Sequence, residues 1–355
     1  VNENFGDGTR VVHAVPGEPG DPFGAQPVFA SSYHLGGQDY YGRAGNPTWR
    51  ALESALGTLE GGECVAFPSG MAAISTLLRT VLSSGDTLVV PSDGYFLTRK
   101  FVSEMDVNVV EVPTAGPYPS FDGVRLVLLE TPSNPGLDVC DIADLAARAH
   151  EAGALLAVDN TTATPLGQRP LELGADLVVA SDTKAVAGHS DVLFGHVTAA
   201  SEELAGRLRD ARTMNGAIPG PFETWLALRG LGTLDLRLAR QAENAEAVYA
   251  LLKGRVAGLR WPGAPEDPAY LVAAQQMRRF NGVLTFVLDD VAAVEKFLSR
   301  SKLVSAATSF GGLHTTADRR AQFGDPVHEG LVRLSCGCED TRDLVADVSH
   351  ALGLD

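Results

Sequence analysis

Lys184 closes a short tract whose side chains could do chemistry. The apolar run Leu177 to Ala180 does not alternate, so it reads as a strand buried on both faces, and it gives way to Ser181, Asp182, Thr183 and Lys184. A primary amine where a sheet opens, beside two hydroxyls, suits a carbonyl cofactor held as a Schiff base. Pyridoxal 5'-phosphate is that cofactor, with Ser181 and Thr183 on its phosphate. Ser-x-Thr-Lys is short and a lysine after a strand is common at surfaces, so this tract alone leaves a plain surface lysine equally open. The residues that follow, Ala185, Ala187, Gly188, His189, Ser190 and Asp191, are too small and polar to serve as core.

Other reactive groups end other apolar runs. Asp159 closes ALLAVD, 25 residues before Lys184. A carboxylate there is costly unless a cation pairs with it. A protonated pyridine nitrogen would be such a cation, and the aspartate would keep it protonated and so preserve the electron sink; a helix cap or a buried ion pair is the alternative. Ser69-Gly70 turns a strand into a helix from Met71, which presents free backbone N–H groups to an anion. Tyr95 follows the run Thr87 to Pro91 on a loop with Asp93 and Gly94, and reads as a site wall. Glu130, Ser133 and Asn134 follow the run Leu126 to Leu129. On a loop before the helix begun by Asn46-Pro47, Tyr41 and Arg43 form either a phosphate clamp or a solvated pair. Arg333, in the otherwise apolar run LVRLS, is a carboxylate grip or a structural ion pair.

These positions imply the elements that hold them. In an open parallel sheet, ligands gather outside the carboxyl ends of the strands, and Gly70, Tyr95, Glu130, Asp159 and Lys184 all fall there. The predicted fold is therefore α/β. Residues 1–40 form a Gly- and Pro-rich arm of the kind pinned on a partner subunit. Residues 41–232 form a large, doubly wound, mostly parallel domain. Residues 233–355 form a smaller α+β domain that includes a linking helix with an apolar stripe from Leu236 through Ala239, Ala242, Ala245, Val248 and Leu251 to Leu252. Helices are expected at Val291–Leu298 and Thr341–Leu352, with strands in VLTFVLDD and LVRLSCG.

Composition narrows the function classes. Lys plus Arg number 28 against 44 Asp plus Glu, a net charge of −16, which argues against a nucleic-acid surface and for a small-molecule protein. No segment approaches the apolar length of a membrane span. Four cysteines without a Cys-x-x-Cys pair make neither a disulfide framework nor a zinc module, so Cys64, Cys140, Cys336 and Cys338 read as reduced thiols. No basic-then-apolar leader is visible, which leaves the cytoplasm as the expected location.

Taken in order, YGRAGNPT, SGMAA, ETPSNP, VDNT, SDTKAVAGHSD, LRGLGTL and LVRLSCGCED resemble the Cys/Met-metabolism pyridoxal-phosphate enzymes, which include cystathionine γ-lyase, cystathionine γ-synthase and methionine γ-lyase. The resemblance spans nearly the whole chain and leans towards the γ-lyases. It implies a type I pyridoxal-phosphate fold and a homotetramer built from two active dimers. It also implies that Lys184 carries the cofactor, that Asp159 pairs with its ring nitrogen and that Tyr95 stacks over the ring. Gly70, Met71, Ser181 and Thr183 would hold the phosphate, reached by Tyr41 and Arg43 from the neighbouring subunit. Asn134, Ser309 and Arg333 match positions that bind an amino-acid substrate's α-carboxylate, and Glu130 matches a supporting acid. The implied activity is γ-elimination from L-cystathionine or a related amino acid. γ-Replacement and a methionine γ-lyase-like reaction are the alternatives, and a non-catalytic cofactor-binding relative is disfavoured by the retained Lys184, Asp159, Tyr95 and Arg333.

Three departures bear on specificity. Phe96 and Leu97 stand where relatives have two glycines, which should narrow the entrance. TSFGGLHTT places His314 where lyases and synthases often carry a glutamate that recognises a distal amino group. Ala317 to Pro326 replaces a longer segment, and Arg319 and Arg320 within it read first as solvated and second as readers of an acidic substrate end.

Overall fold

The computed structural model describes residues 5–354 and holds two sheets linked by a long helix. The first sheet comprises β1 (Glu63–Phe67), β2 (Thr87–Pro91), β3 (Asn108–Val112), β4 (Val124–Glu130), β5 (Leu155–Asp159), β6 (Leu177–Ala180) and β7 (Gly195–Ala199), in spatial order β1-β7-β6-β5-β4-β2-β3. Strands β2 to β6 pair in parallel, while β7 runs antiparallel to both β6 and β1. Both faces are covered, which is why the central strands are apolar without alternation. In β1, Val65 and Phe67 join the cluster under helices Gly70–Val81 and Glu202–Asn215, while Cys64 and Ala66 join the one under helix Pro47–Glu60.

Local chemistry sets the helix ends. Asn46 accepts a hydrogen bond from the Thr48 amide ahead of Pro47, and Gly61 stops that helix at φ +85°. Ser69 accepts from the Ala72 amide and starts the next helix, where the sequence predicts one.

The second sheet comprises β8 (Ala257–Arg260), β9 (Val283–Val287), β10 (Ser305–Ala306), β11 (Thr316–Arg319) and β12 (Leu331–Ser335), in the order β10-β11-β12-β9-β8. Helix Leu234–Leu252 leads to it and packs under it with Val291–Arg300 and Thr341–Leu352. Leu236 and Ala239, read as part of that helix's apolar stripe, are exposed instead, and Arg237 is buried between them. The short strands β8, β10 and β11 escape the sequence reading, being too brief for alternation to register. The arm also differs from expectation, because Asp7–Val12 is helical and Val11 packs among Leu52, Leu56 and Leu234 of its own chain. Phe23, Phe29 and Leu35 remain exposed.

The carboxyl ends of β1, β2, β4, β5 and β6 and the start of β7 share one edge, so the turns after β1 and β6 touch. A Cβ at Gly195 would lie 2.6 Å from the Ser69 carbonyl oxygen, and one at Gly70 would lie 2.6 Å from the Ser181 Cβ. Gly195→Ala should therefore lower stability by about 1–3 kcal/mol through overpacking, measured by denaturant unfolding. An unchanged midpoint would show that the turn and the strand separate freely.

Candidate active site

A cavity of about 410 Å³ opens along this edge and extends to the second sheet. Lys184 reaches into it from the turn after β6. Its Nζ donates to Ser309 Oγ at 2.9 Å and lies 5.5 Å from the centroid of the Phe310 ring. Burial, followed by the positive charges of Arg333 and Arg320, pushes its pKa down from 10.5 to about 8. A sizeable neutral, nucleophilic fraction is thus present near neutral pH. Ser309 holds φ +85°, a left-handed conformation that costs a non-glycine residue about 1–3 kcal/mol. The strain points its hydroxyl at the amine and its carbonyl at Arg333 Nη2, 3.1 Å away.

Two carboxyls face the same space. Asp159, at the end of β5, accepts from the Thr161 amide at 3.0 Å and has no ion-pair partner among the described residues. Burial raises its pKa. Glu130, at the end of β4, accepts from the Tyr95 amide at 2.6 Å and the Asn134 amide at 2.8 Å, so one carboxyl fixes two loops. Burial and the neighbouring Asp159 push its pKa well above the usual carboxylate range. Tyr95 lines the cavity, with Phe96 edge-on to it at 5.2 Å. Phe96 also lines the cavity, whereas Leu97 does not.

Gly70 and Met71, at the N-terminus of a 12-residue helix, share one wall with Ser181 and Thr183. The Thr183 hydroxyl donates to the Phe194 carbonyl at 3.1 Å and accepts from the Phe194 amide at 2.9 Å, so it also ties the turn to the start of β7. Across the cavity, Arg333 donates to Asn134 Oδ1 at 2.6 Å and to Asp318 Oδ2 at 2.8 Å. Burial lowers its pKa to about 10, leaving it charged at neutral pH.

Some expected residues lie elsewhere. Tyr41 and Arg43 are outside the cavity of their own chain; the guanidinium stacks on the Tyr41 ring at 5.4 Å and donates to the Thr213 carbonyl. His314 is exposed and does not line the cavity. The first reading of Arg320 is corrected: it is buried and lines the cavity, bound to Asp318 at 3.1 Å and to Asp325 at 2.8 Å. Arg237 goes unnoticed in the sequence, although a basic residue amid an apolar stripe is the available signal. Its guanidinium donates to the Ala185 and Val186 carbonyls and fastens the segment after Lys184.

The residues present fit pyridoxal 5'-phosphate. A depressed amine can take the aldehyde, an unpaired buried carboxyl can take the ring nitrogen, and a helix N-terminus with Ser181 can take the phosphate. A volume near 410 Å³ lies within the roughly 300–1,000 Å³ usual for small-molecule sites.

The description "Cys/Met metabolism PLP-dependent enzyme" belongs to the family model that matches residues 29–353. A Streptomyces coelicolor protein named "Putative cystathionine gamma-lyase" is 49% identical over 98% of this chain and 93% of its own. A cystathionine gamma-synthase from Mycobacterium tuberculosis is 38% identical over 98% of this chain and 97% of its own. Among solved structures, cystathionine gamma synthase from Xanthomonas oryzae pv. oryzae, in complex with aminoacrylate and cysteine, superposes with a TM-score of 0.93 at 34% identity, covering 98% of each chain. The architecture is that of fold type I. With its lysine, carboxyls and phosphate wall gathered at one sheet edge, this chain belongs to the Cys/Met-metabolism family of pyridoxal-phosphate-dependent enzymes.

Proposed function

We propose that the chain is a carbon–sulfur lyase acting by γ-elimination on L-cystathionine or a related γ-substituted amino acid, consuming one water and releasing cysteine or another thiol, 2-oxobutyrate and ammonia. One observation carries this reading: the buried, depressed amine of Lys184 shares its cavity and its Ser309 contact with Arg333, the cation that suits an amino-acid carboxylate. Bound at this site, pyridoxal phosphate supplies the electron sink that makes negative charge at the substrate's Cα tolerable. The chain's own groups do the rest. Arg333, oriented by Asn134 and the Ser309 carbonyl, grips the α-carboxylate. Lys184 takes the proton from Cα and relays protons at Cβ, a role suited to an amine whose pKa lies near 8. Asp159 keeps the ring nitrogen protonated, and Glu130 holds the Tyr95 and Asn134 loops in place. Burial raises the Tyr95 pKa, so its phenol stays protonated, stacks over the ring and is available to donate a proton to the leaving sulfur.

The residues outside the cavity support a reading of the assembly. Tyr41 and Arg43 would complete a neighbouring subunit's phosphate site in a cytoplasmic homotetramer, a reading supported by their distance from their own cavity and by the exposed Phe23, Phe29 and Leu35 of the arm. The arm (1–40), the large domain (41–232) and the C-terminal domain (233–355) would be its units.

The γ-synthase relative makes replacement the reading to beat. Incubation of the cofactor-loaded protein with L-cystathionine should give cysteine and 2-oxobutyrate at a rate that an added thiol acceptor barely alters; thioether formation as the main outcome would assign replacement instead. Lys184→Ala should lower turnover by at least about 10²–10⁴-fold, and wild-type turnover would sink the mechanism. A pKa near 8 also sets a pH dependence. Below it Nζ is protonated and inert, and above it the amine is free, so capture of pyridoxal phosphate by the apo-protein should speed up through about pH 8. A midpoint near 10.5 in stopped-flow absorbance would contradict the desolvated site. Arg43→Ala should weaken cofactor retention in the assembled protein, and retention equal to wild type would remove the cross-subunit clamp.

A further inference from the structure

Behind the phosphate wall lies a group of charged side chains that the reaction does not use. Asp182 stands between Ser181 and Thr183, which line the cavity, yet it is fully buried and does not line it. Both its carboxylate oxygens lie 2.9 Å from His196 Nδ1. His196, also fully buried, sits on β7, second from the edge of the first sheet, in register with Ala180 on β6 and Ala66 on β1. On its other side, Nε2 is 3.5 Å from Glu60 Oε1, and neither Glu60 oxygen has a hydrogen-bond partner among the described residues. Glu60 is the last residue of helix Pro47–Glu60 and has no exposed surface.

Two fully buried carboxyls are costly unless a cation stands between them. Burial alone would lower the His196 pKa, but Asp182 and Glu60 outweigh it and raise the value to about 10, so the imidazole is charged at neutral pH. Burial raises the Glu60 pKa, and Asp182, both of whose oxygens lie 2.9 Å from Nδ1, is the carboxylate in direct contact with the imidazole. That carboxylate belongs to the same turn as the Ser181 hydroxyl. An uncompensated negative charge there would repel a phosphate dianion placed on Ser181 and the Gly70 helix end.

We propose that His196 is a charge-compensating positioning residue: through Asp182 it holds the turn after β6 in place and removes the negative charge that would otherwise oppose the cofactor's phosphate. The inference rests on the reading that the phosphate sits against Ser181 and Gly70. It differs from a purely structural ion pair in one respect, since it predicts an effect specific to the phosphate group.

The test compares pyridoxal 5'-phosphate with pyridoxal, which lacks the phosphate, by titrating each into the apo-protein and following absorbance and intrinsic fluorescence. In wild type the phosphorylated form should bind more tightly. His196→Gln should shrink that preference by about tenfold, and the double variant His196→Gln/Asp182→Asn should restore it to within about threefold of wild type. A preference unchanged in His196→Gln, or a double variant worse than the single one, would overturn the proposal. If His196→Gln does not fold, Asp182→Asn alone decides. It removes the carboxylate that needs compensation while the amide oxygen can still accept from the imidazole, so the preference for the phosphorylated form should stay within about threefold of wild type or rise; a larger fall overturns the proposal. Wild type that binds both forms equally would overturn the phosphate placement itself, whereas a failure confined to the variants removes only the role of His196.

Discussion

Desolvation of one amine is the constraint on which the rest of the structure depends. Lys184 holds a useful neutral fraction near neutral pH only if its surroundings disfavour the charged form, and here burial and two guanidiniums lower its pKa to about 8. Burial requires the turn after β6 to press against the turn after β1, which the small residues at positions 70 and 195 permit. It also requires the second sheet to close the cavity, which Ser309 and Arg333 accomplish at the cost of one strained backbone position. The first sheet offers the amine, and burial, aided by Arg333 and Arg320, sets its basicity.

The second sheet brings charge without excess. Arg333, Asp318, Arg320 and Asp325 alternate in sign along a buried chain of contacts. Each guanidinium is held by a carboxylate, so it keeps its orientation in an environment where a free one would be expensive to hold. Arg333 is thereby ready for a carboxylate ligand without reorganising. The same logic recurs at the first sheet, where His196 of β7 stands between Asp182 and Glu60. Both series stand next to a wall of the cavity.

The strand ends were the most legible part of the sequence. Apolar runs that stop at a polar residue mark buried parallel strands and, at the same positions, the site, because ligand and strand terminus share one edge. Lys184, Asp159, Glu130, Tyr95 and Gly70 could all be placed that way. Arg320 could not, since its burial depends on Asp318 and Asp325, which meet it only after β11 and the turn beyond it form. Asp182 and His196 were hidden for the same reason: a polar residue beside a reactive tract looks like part of the site until the strand pairing of β6 with β7 shows it facing away. His314 illustrates the reverse, a position suggestive in the linear chain whose side chain the fold leaves in solvent. Arg237 lay within a helical stripe and was legible only as a break in it.

The central claim is that the Lys184 amine is the group that takes the cofactor. It is tested most directly by reducing the pyridoxal-phosphate-loaded protein with borohydride, digesting it and locating the modified lysine by mass spectrometry. The structure predicts a single modified peptide carrying the label on Lys184. Label on Lys100, Lys253, Lys296 or Lys302 with Lys184 unmodified would contradict the account.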